Sequence, residues 1–195
     1  MERSASGSVG LPSECIAAED EIFYARFVAP LEARMMRTVW RIVREQDLAQ
    51  DTLQEALAVV WKRRQVIRSH PNPEALIIRM CIDAAYDCLR GMQRRRRIEA
   101  AEDAIPAGHR AEGGGMSQSQ ESAEHEVRRA VGRLPANQAV ALLLRVVEDQ
   151  PYLAIAAALG CSETTARIHV MRARHRLGRW LAHMAPSQRR TGGKT

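Results

Sequence analysis

Residues 134–177 read LPANQAVALLLRVVEDQPYLAIAAALGCSETTARIHVMRARHRL, and their punctuation divides them into three short helices. Pro135 stands where a helix begins, because its fixed φ and missing N–H suit a first turn. Ala139, Leu142, Leu143, Val146 and Val147 then recur at helical spacing and give that helix one apolar stripe. Glu148-Asp149-Gln150 interrupts it, and Pro151 starts a second helix that runs to Leu159. Gly160 supplies a C-terminal stop, and Ser162 is a good N-cap for the helix that follows. The pattern predicts a helix-turn-helix whose second helix lies between Ser162 and Leu177.

In that last helix Ala166, Val170, Ala173 and Leu177 repeat on one face and must pack inward. Arg167, Arg172, Arg174, Arg176 and Arg179 lie on or beside the other face. Glu163, Thr164 and Arg167 open the helix, where such motifs reach base edges in a major groove, while later arginines grip phosphate. A plain basic surface helix would share the charge but not the turn chemistry. A membrane-surface helix would need a large apolar counterface flanked by aromatics, which is missing here.

Outward from this motif, charge is unevenly spread over the 195 residues, whose formal net charge is +6. Residues 1–98 carry 16 basic and 13 acidic side chains, residues 99–126 carry 1 and 7, and residues 127–195 carry 12 and 3. A basic C-terminal end suits a polyanion, since each phosphate contact releases condensed counterions. Phe, Trp and Tyr together make up only 4% of the chain, and the abundance of Ala, Leu, Arg and Glu favours helix over strand. The expected fold is all-α: two small helical domains joined by a flexible acidic linker.

The domain boundaries follow from composition. Residues 1–18 read as a flexible arm, 19–98 as a helical domain, 99–121 as the linker, 122–184 as the helix-turn-helix domain and 185–195 as a basic tail. Within the first domain, breaks are expected at Gln46-Asp47 and across Ser69-His70-Pro71-Asn72-Pro73. After Asp47, Leu53, Ala56, Leu57, Val60 and Trp61 form an apolar stripe that leaves Asp51, Gln54, Glu55 and Lys62 on the opposite face.

These residues together resemble a known family. The stretch 134–177 resembles the promoter-binding C-terminal domain of extracytoplasmic-function (ECF) sigma factors, the subgroup of the sigma-70 family that directs bacterial RNA polymerase to promoters. Residues 47–61, DLAQDTLQEALAVVW, resemble that family's polymerase-binding helix, and residues 75–90, ALIIRMCIDAAYDCLR, its helix for the downstream promoter element. The resemblance covers roughly residues 20–184, with the segments in the family's order.

The resemblance implies that Asp51, Gln54 and Glu55 contact core RNA polymerase. It places His70, Asn72, Arg79, Asp83, Asp87, Arg90 and Arg94, with the arginines through Arg97, on or near the melted downstream element of promoter DNA. There the family extrudes a base, at an unstacking cost of a few kcal/mol, into a site near the loop Ser69 to Pro73. For the upstream element it implies Ser162, Glu163, Thr164, Arg167, Ile168, Met171, Arg172 and Arg174. It also implies an anti-sigma factor as partner and a path for the acidic linker through polymerase. The chain departs from the family's usual residues at Leu76 for Trp, Leu57 for Phe, Asp83 for Asn, and Gln50 and Ala154 each for Glu. Asp83 matters most, because an ionised carboxylate only accepts hydrogen bonds and repels phosphate.

Other classes fit less well. A conventional regulator, reading operators through its C-terminal motif without polymerase, shares the helix-turn-helix but needs no polymerase-binding face. An enzyme is not expected, since the chain has no Gly-rich phosphate loop, metal-ligand cluster or nucleophile elbow, and no cofactor is implied. Cys15, Cys81, Cys88 and Cys161 lack metal-ligand spacing and read as free thiols. His109, His125, His169, His175 and His183 are scattered. The first residues lack an apolar signal core, and no stretch approaches the ~20 apolar residues of a membrane span, so a cytoplasmic protein without membrane insertion is expected.

Overall fold

A computed structural model of the chain describes residues 19–102 and 117–184, all of whose regular elements are helical. The expected arm, the centre of the linker with Gly113–Gly115, the tail beyond Pro186, Cys15 and His109 lie outside the described residues. A first helical segment, α1 (19–23), runs into a π turn over Tyr24–Val28 and a 3-10 turn over Ala29–Leu31, where Pro30 enters. It is followed by α2 (Glu32–Val43), α3 (Gln46–Lys62), α4 (Arg64–Ser69), α5 (Pro73–Glu102), α6 (Ser117–Val131), α7 (Ala136–Val146), α8 (Tyr152–Leu159) and α9 (Glu163–Trp180).

Local chemistry sets these ends. α2 stops at Arg44, which takes a left-handed φ of 61°, so the first break falls at Arg44-Glu45 and α3 already includes Gln46 and Asp47. α5 opens on Pro73, and the Asn72 side-chain oxygen accepts a hydrogen bond from the Ala75 N–H at 3.0 Å, which caps the helix. At its other end α5 continues to Glu102, and α6 starts at Ser117, so helix enters the expected linker from both sides.

α2, α3 and α5 form the centre of the N-terminal bundle, and α7, α8 and α9 that of the C-terminal one. On α3, Ala49, Thr52, Ala56 and Val60 are buried, while Leu53 and Leu57 are half-buried at the edges. Trp61 also sits at an edge, with its ring 5.6 Å from that of Phe23. The apolar stripe is therefore centred about one position from where spacing alone puts it.

The two bundles are not separate bodies. α5 packs against both α7 and α8, and the buried apolar residues form one continuous cluster from Phe23 to Ala173. The junction is made by non-local contacts that carry no periodic signature: the Tyr86 hydroxyl donates to the Leu134 carbonyl, and Arg34 pairs with Glu148 at 2.8 Å.

Candidate nucleic-acid interface

The helix-turn-helix is built by α8, the turn and α9. Gly160 holds a left-handed φ of 64° and returns its N–H to the end of α8, a conformation in which an L side chain would be strained. Two residues on, the Ser162 hydroxyl accepts from the Thr165 N–H at 3.1 Å and so starts α9. Ala166, Val170 and Ala173 are buried beneath α9, and Leu177 is half-buried. Burial of these side chains fixes which face of the helix looks outward.

That outward face carries the expected upstream-element residues. Ser162, Thr164, Arg167, Met171, Arg172 and Arg174 are exposed, and Glu163 and Ile168 are half-buried. Arg167 is held in place before any ligand arrives. Its Nη2 lies 2.6 Å from Glu163 Oε1, and its guanidinium stands over the Tyr152 ring at 4.4 Å from the centroid. Arg145 approaches the same ring at 5.5 Å. Tyr152 and Arg145 were not singled out from the sequence, because a contact between residues 15 apart on two helices leaves no periodic trace. Met171, Arg172, His175 and Arg176 line a cleft with Gln138 of α7.

On α3, Asp51, Gln54 and Glu55 form an exposed polar face opposite the buried residues. The seven expected downstream-element residues divide into two groups. Asp87, Arg90 and Arg94 are exposed on α5 and line a cleft of about 750 Å³ whose other wall is Gly132 to Ala136. Arg90 lies 5.8 Å from the centroid of the Tyr86 ring.

The remaining four are half-buried and engaged. His70 Nε2 donates to the Ala157 carbonyl at 3.2 Å, Asn72 caps α5, and Arg79 Nη1 donates to the Ala158 carbonyl at 2.5 Å. Asp83 Oδ2 sits 3.3 Å from Arg79 Nε, in ion-pair range but without an aligned hydrogen bond. Burial pushes the Asp83 carboxyl above its ordinary pKa, with Asp87 adding to this and Arg79 opposing it.

Among the positions that depart from the family pattern, Leu76 and Ala154 are buried and Gln50 is exposed. Cys81, Cys88 and Cys161 are free thiols, and burial raises the Cys81 pKa to about 12. No group of side chains among the described residues could hold a metal ion, and no described helix is long and apolar enough to cross a membrane.

Comparison with known proteins agrees with this geometry at the C-terminal end. Residues 124–177, which span most of α6 through α9, match the family model described as sigma-70, region 4. No curated protein matches the chain. Among solved structures, the sigma factor RpoE in complex with the anti-sigma factor NepR from Bartonella quintana is similar, at 21% identity over 87% of this chain and 98% of that one, with a TM-score of 0.45. The capped turn and the buried Ala166-Val170-Ala173 face both lie within the matched stretch, so the C-terminal helix-turn-helix is similar to region 4 of sigma-70 factors.

Proposed function

We propose that this protein is an ECF sigma factor that binds core RNA polymerase and bridges two promoter elements, α9 reading the upstream one and α5 with the His70-Asn72 loop the downstream one. The observation that carries the reading is the exposed arginine face of α9, set by the Gly160-Ser162 turn within the stretch that matches sigma-70 region 4. Arg167, already oriented by Glu163 and Tyr152, suits a fork-like contact to a base edge, and Arg172, Arg174 and Arg176 suit phosphates. The α3 face of Asp51, Gln54 and Glu55 is the polymerase-binding surface. An anti-sigma factor is the regulatory partner. The work of such a protein is recognition, with no bond made or broken.

Purified protein added to core polymerase is expected to give promoter-dependent run-off transcripts from templates selected by sequencing the DNA that the pair binds. Absence of transcripts across those templates would overturn the reading. Asp51→Ala with Gln54→Ala should abolish capture of core polymerase and leave binding to upstream-element duplex unchanged. Unchanged capture would favour a regulator that works without polymerase.

A further inference from the structure

We infer that the cavity between the end of α2, the C-terminal half of α5 and α6 is a binding site for a small polyanion that carries a flat ring, the chemistry of a nucleoside polyphosphate. The inference goes beyond promoter recognition. It stands on this cavity alone, whether or not the proposed function holds.

The cavity has a volume of about 570 Å³, within the roughly 300–1,000 Å³ range of small-molecule sites. Two helix faces line it. On α5, Leu89, Met92, Gln93 and Arg96 follow i, i+3, i+4 and i+7 spacing, and on α6 His125, Arg128 and Arg129 follow i, i+3 and i+4. Gln93 Nε2 donates to the Arg129 carbonyl at 3.2 Å, and the Gln93 side chain fills the space over Gly132. A glycine at that position lets α6 lie close against α5 beside the cavity.

Charge selects the first half of the ligand. Arg44, Arg96, Arg97, Arg128, Arg129 and Arg133 all line the cavity, against one carboxylate, Glu45. Glu124, outside the lining, pairs with Arg44 at 3.5 Å and with Arg128 at 3.6 Å, so a large positive excess remains. Like charges gathered around one space repel when it is empty, and a cleft of one sign between low-dielectric walls concentrates counter-ions. Arg44 adds a backbone cost, since its φ of 61° is a conformation that glycine usually supplies. His125 registers the same field. Arg96 Nη1 donates to its Nε2, which accepts only in the neutral ring. Burial pushes the His125 pKa below its ordinary value, with the charges of Arg96, Arg128 and Arg129 adding to this and Glu126 opposing it.

The rest of the lining selects the ring. Val43 and Leu89 are buried and Met92 is half-buried, which gives the cavity an apolar part beside its cations. A guanidinium stacks its plane on a flat ring, and its fork of N–H donors matches phosphate oxygens. An arginine-walled cavity with an apolar patch therefore suits both halves of a nucleoside polyphosphate. A long acyl chain would need a deeper apolar channel than three side chains provide. A nucleic-acid strand would call for aromatic stacking platforms, and the lining contains no Phe, Tyr or Trp.

The test is calorimetric titration of the full chain with ATP, GTP, adenosine, inorganic tripolyphosphate and a hexaglutamate peptide. ATP or GTP should bind saturably at one per chain, tripolyphosphate at least about tenfold more weakly, and adenosine without measurable heat. The double variant Arg97→Ala with Arg129→Ala should weaken nucleotide binding at least about tenfold, the loss expected when charge-assisted hydrogen bonds are removed. Arg179→Ala, which removes an α9 cation outside the cavity, should bind as wild type does. By NMR the His125 ring should titrate at higher pH with nucleotide bound, because phosphate charge favours the imidazolium.

No saturable binding of either nucleotide would overturn the site. So would an equal loss in Arg179→Ala and the double variant, since the attraction would then be diffuse. Tripolyphosphate bound as tightly as the nucleotides would remove the ring from the ligand, and tighter binding of hexaglutamate would make the cavity a protein-docking surface. Either result overturns the inference. Arg97 and Arg129 are exposed, so the double variant should keep its helical circular dichroism. If it does not fold, His125 in the wild type decides: an upward shift of its titration with nucleotide supports the site, and an unmoved titration overturns it.

Discussion

Helix α9 leaves Arg167, Arg172 and Arg174 exposed, whereas α5 has His70, Asn72, Arg79 and Asp83 around it half-buried against protein. Both segments carry DNA-reading roles in the proposed function. The difference is in what their side chains do without DNA. On α9 the preorganising contact is local, from Glu163 one turn earlier and Tyr152 across the motif. Around α5, His70 and Arg79 bond carbonyls of the other domain, as far along the chain as Ala158, while Asn72 caps α5 itself and Asp83 sits beside Arg79 on the same helix. One reader is ready in the free protein, and the other is engaged elsewhere.

The largest expected effect tests whether this contrast belongs to one folded unit. Ile155 of α8 is fully buried in the cluster that continues to Phe23. Ile155→Ala should destabilise the protein by about 2–5 kcal/mol, the usual range for an emptied core site. With one continuous core, denaturant unfolding followed by circular dichroism should remain a single transition at a lower midpoint. Two transitions, only one of them shifted, would mean that the domains are independent and that α5 is not held by α8.

The next effect separates the two readers. Arg167→Ala should weaken binding of the free protein to upstream-element duplex by about 1–3 kcal/mol and relax preference at one base position. Arg90→Ala should leave that affinity unchanged, since Arg90 stands on α5 beside Tyr86. Fluorescence anisotropy on selected and scrambled duplexes reads both. An equal loss for the two variants would dissolve the contrast, because the cationic surface would then act as a single nonspecific patch.

Ser162→Ala sharpens the α9 side alone. Its hydroxyl caps the helix through the Thr165 N–H, and caps of this kind contribute about 0.5–2 kcal/mol. The unfolding free energy obtained from urea titration should fall by that amount. Ser162→Asp, which can accept the same hydrogen bond, should recover most of it.

How far each side could be read in advance follows the same division. Pro135, Pro151, Gly160 and Ser162 act within a few residues of their own position, so the four ends they mark are where the spacing puts them. The buried face of α9 is equally local, since Ala166, Val170 and Ala173 declare themselves by periodicity. The end of α3 shows the limit: nothing in the run to Trp61 signals the break at Arg63. Val146 shows another, since it completes the stripe of α7 and is nonetheless 62% exposed. The closed junction was out of reach. Glu148 reads as a polar interruption between helices, and only tertiary packing reveals that its carboxylate is buried against α2. The resemblance assigns Asn72 and Arg79 to the downstream element, and nothing in the sequence marks them as a helix cap and a ligand of an α8 carbonyl.

The smallest effect lies at Asp83, where the two sides meet through Arg79. Burial raises its carboxyl pKa in the folded protein, and the Arg79 charge offsets only part of that rise. A raised carboxyl pKa means that the folded state holds the proton more tightly than the unfolded chain does. Its relative stabilisation is complete below the ordinary value of 3.8 and is lost as pH rises through the folded pKa. Asp83→Asn does not titrate, so its thermal midpoint should gain on wild type as pH is raised from the strongly acidic range toward neutrality. If wild type instead gains on Asp83→Asn over that range, the Arg79 ion pair outweighs burial. Arg79 would then be anchored as much by Asp83 as by the α8 carbonyl, and the engagement of α5 would have a source within its own helix.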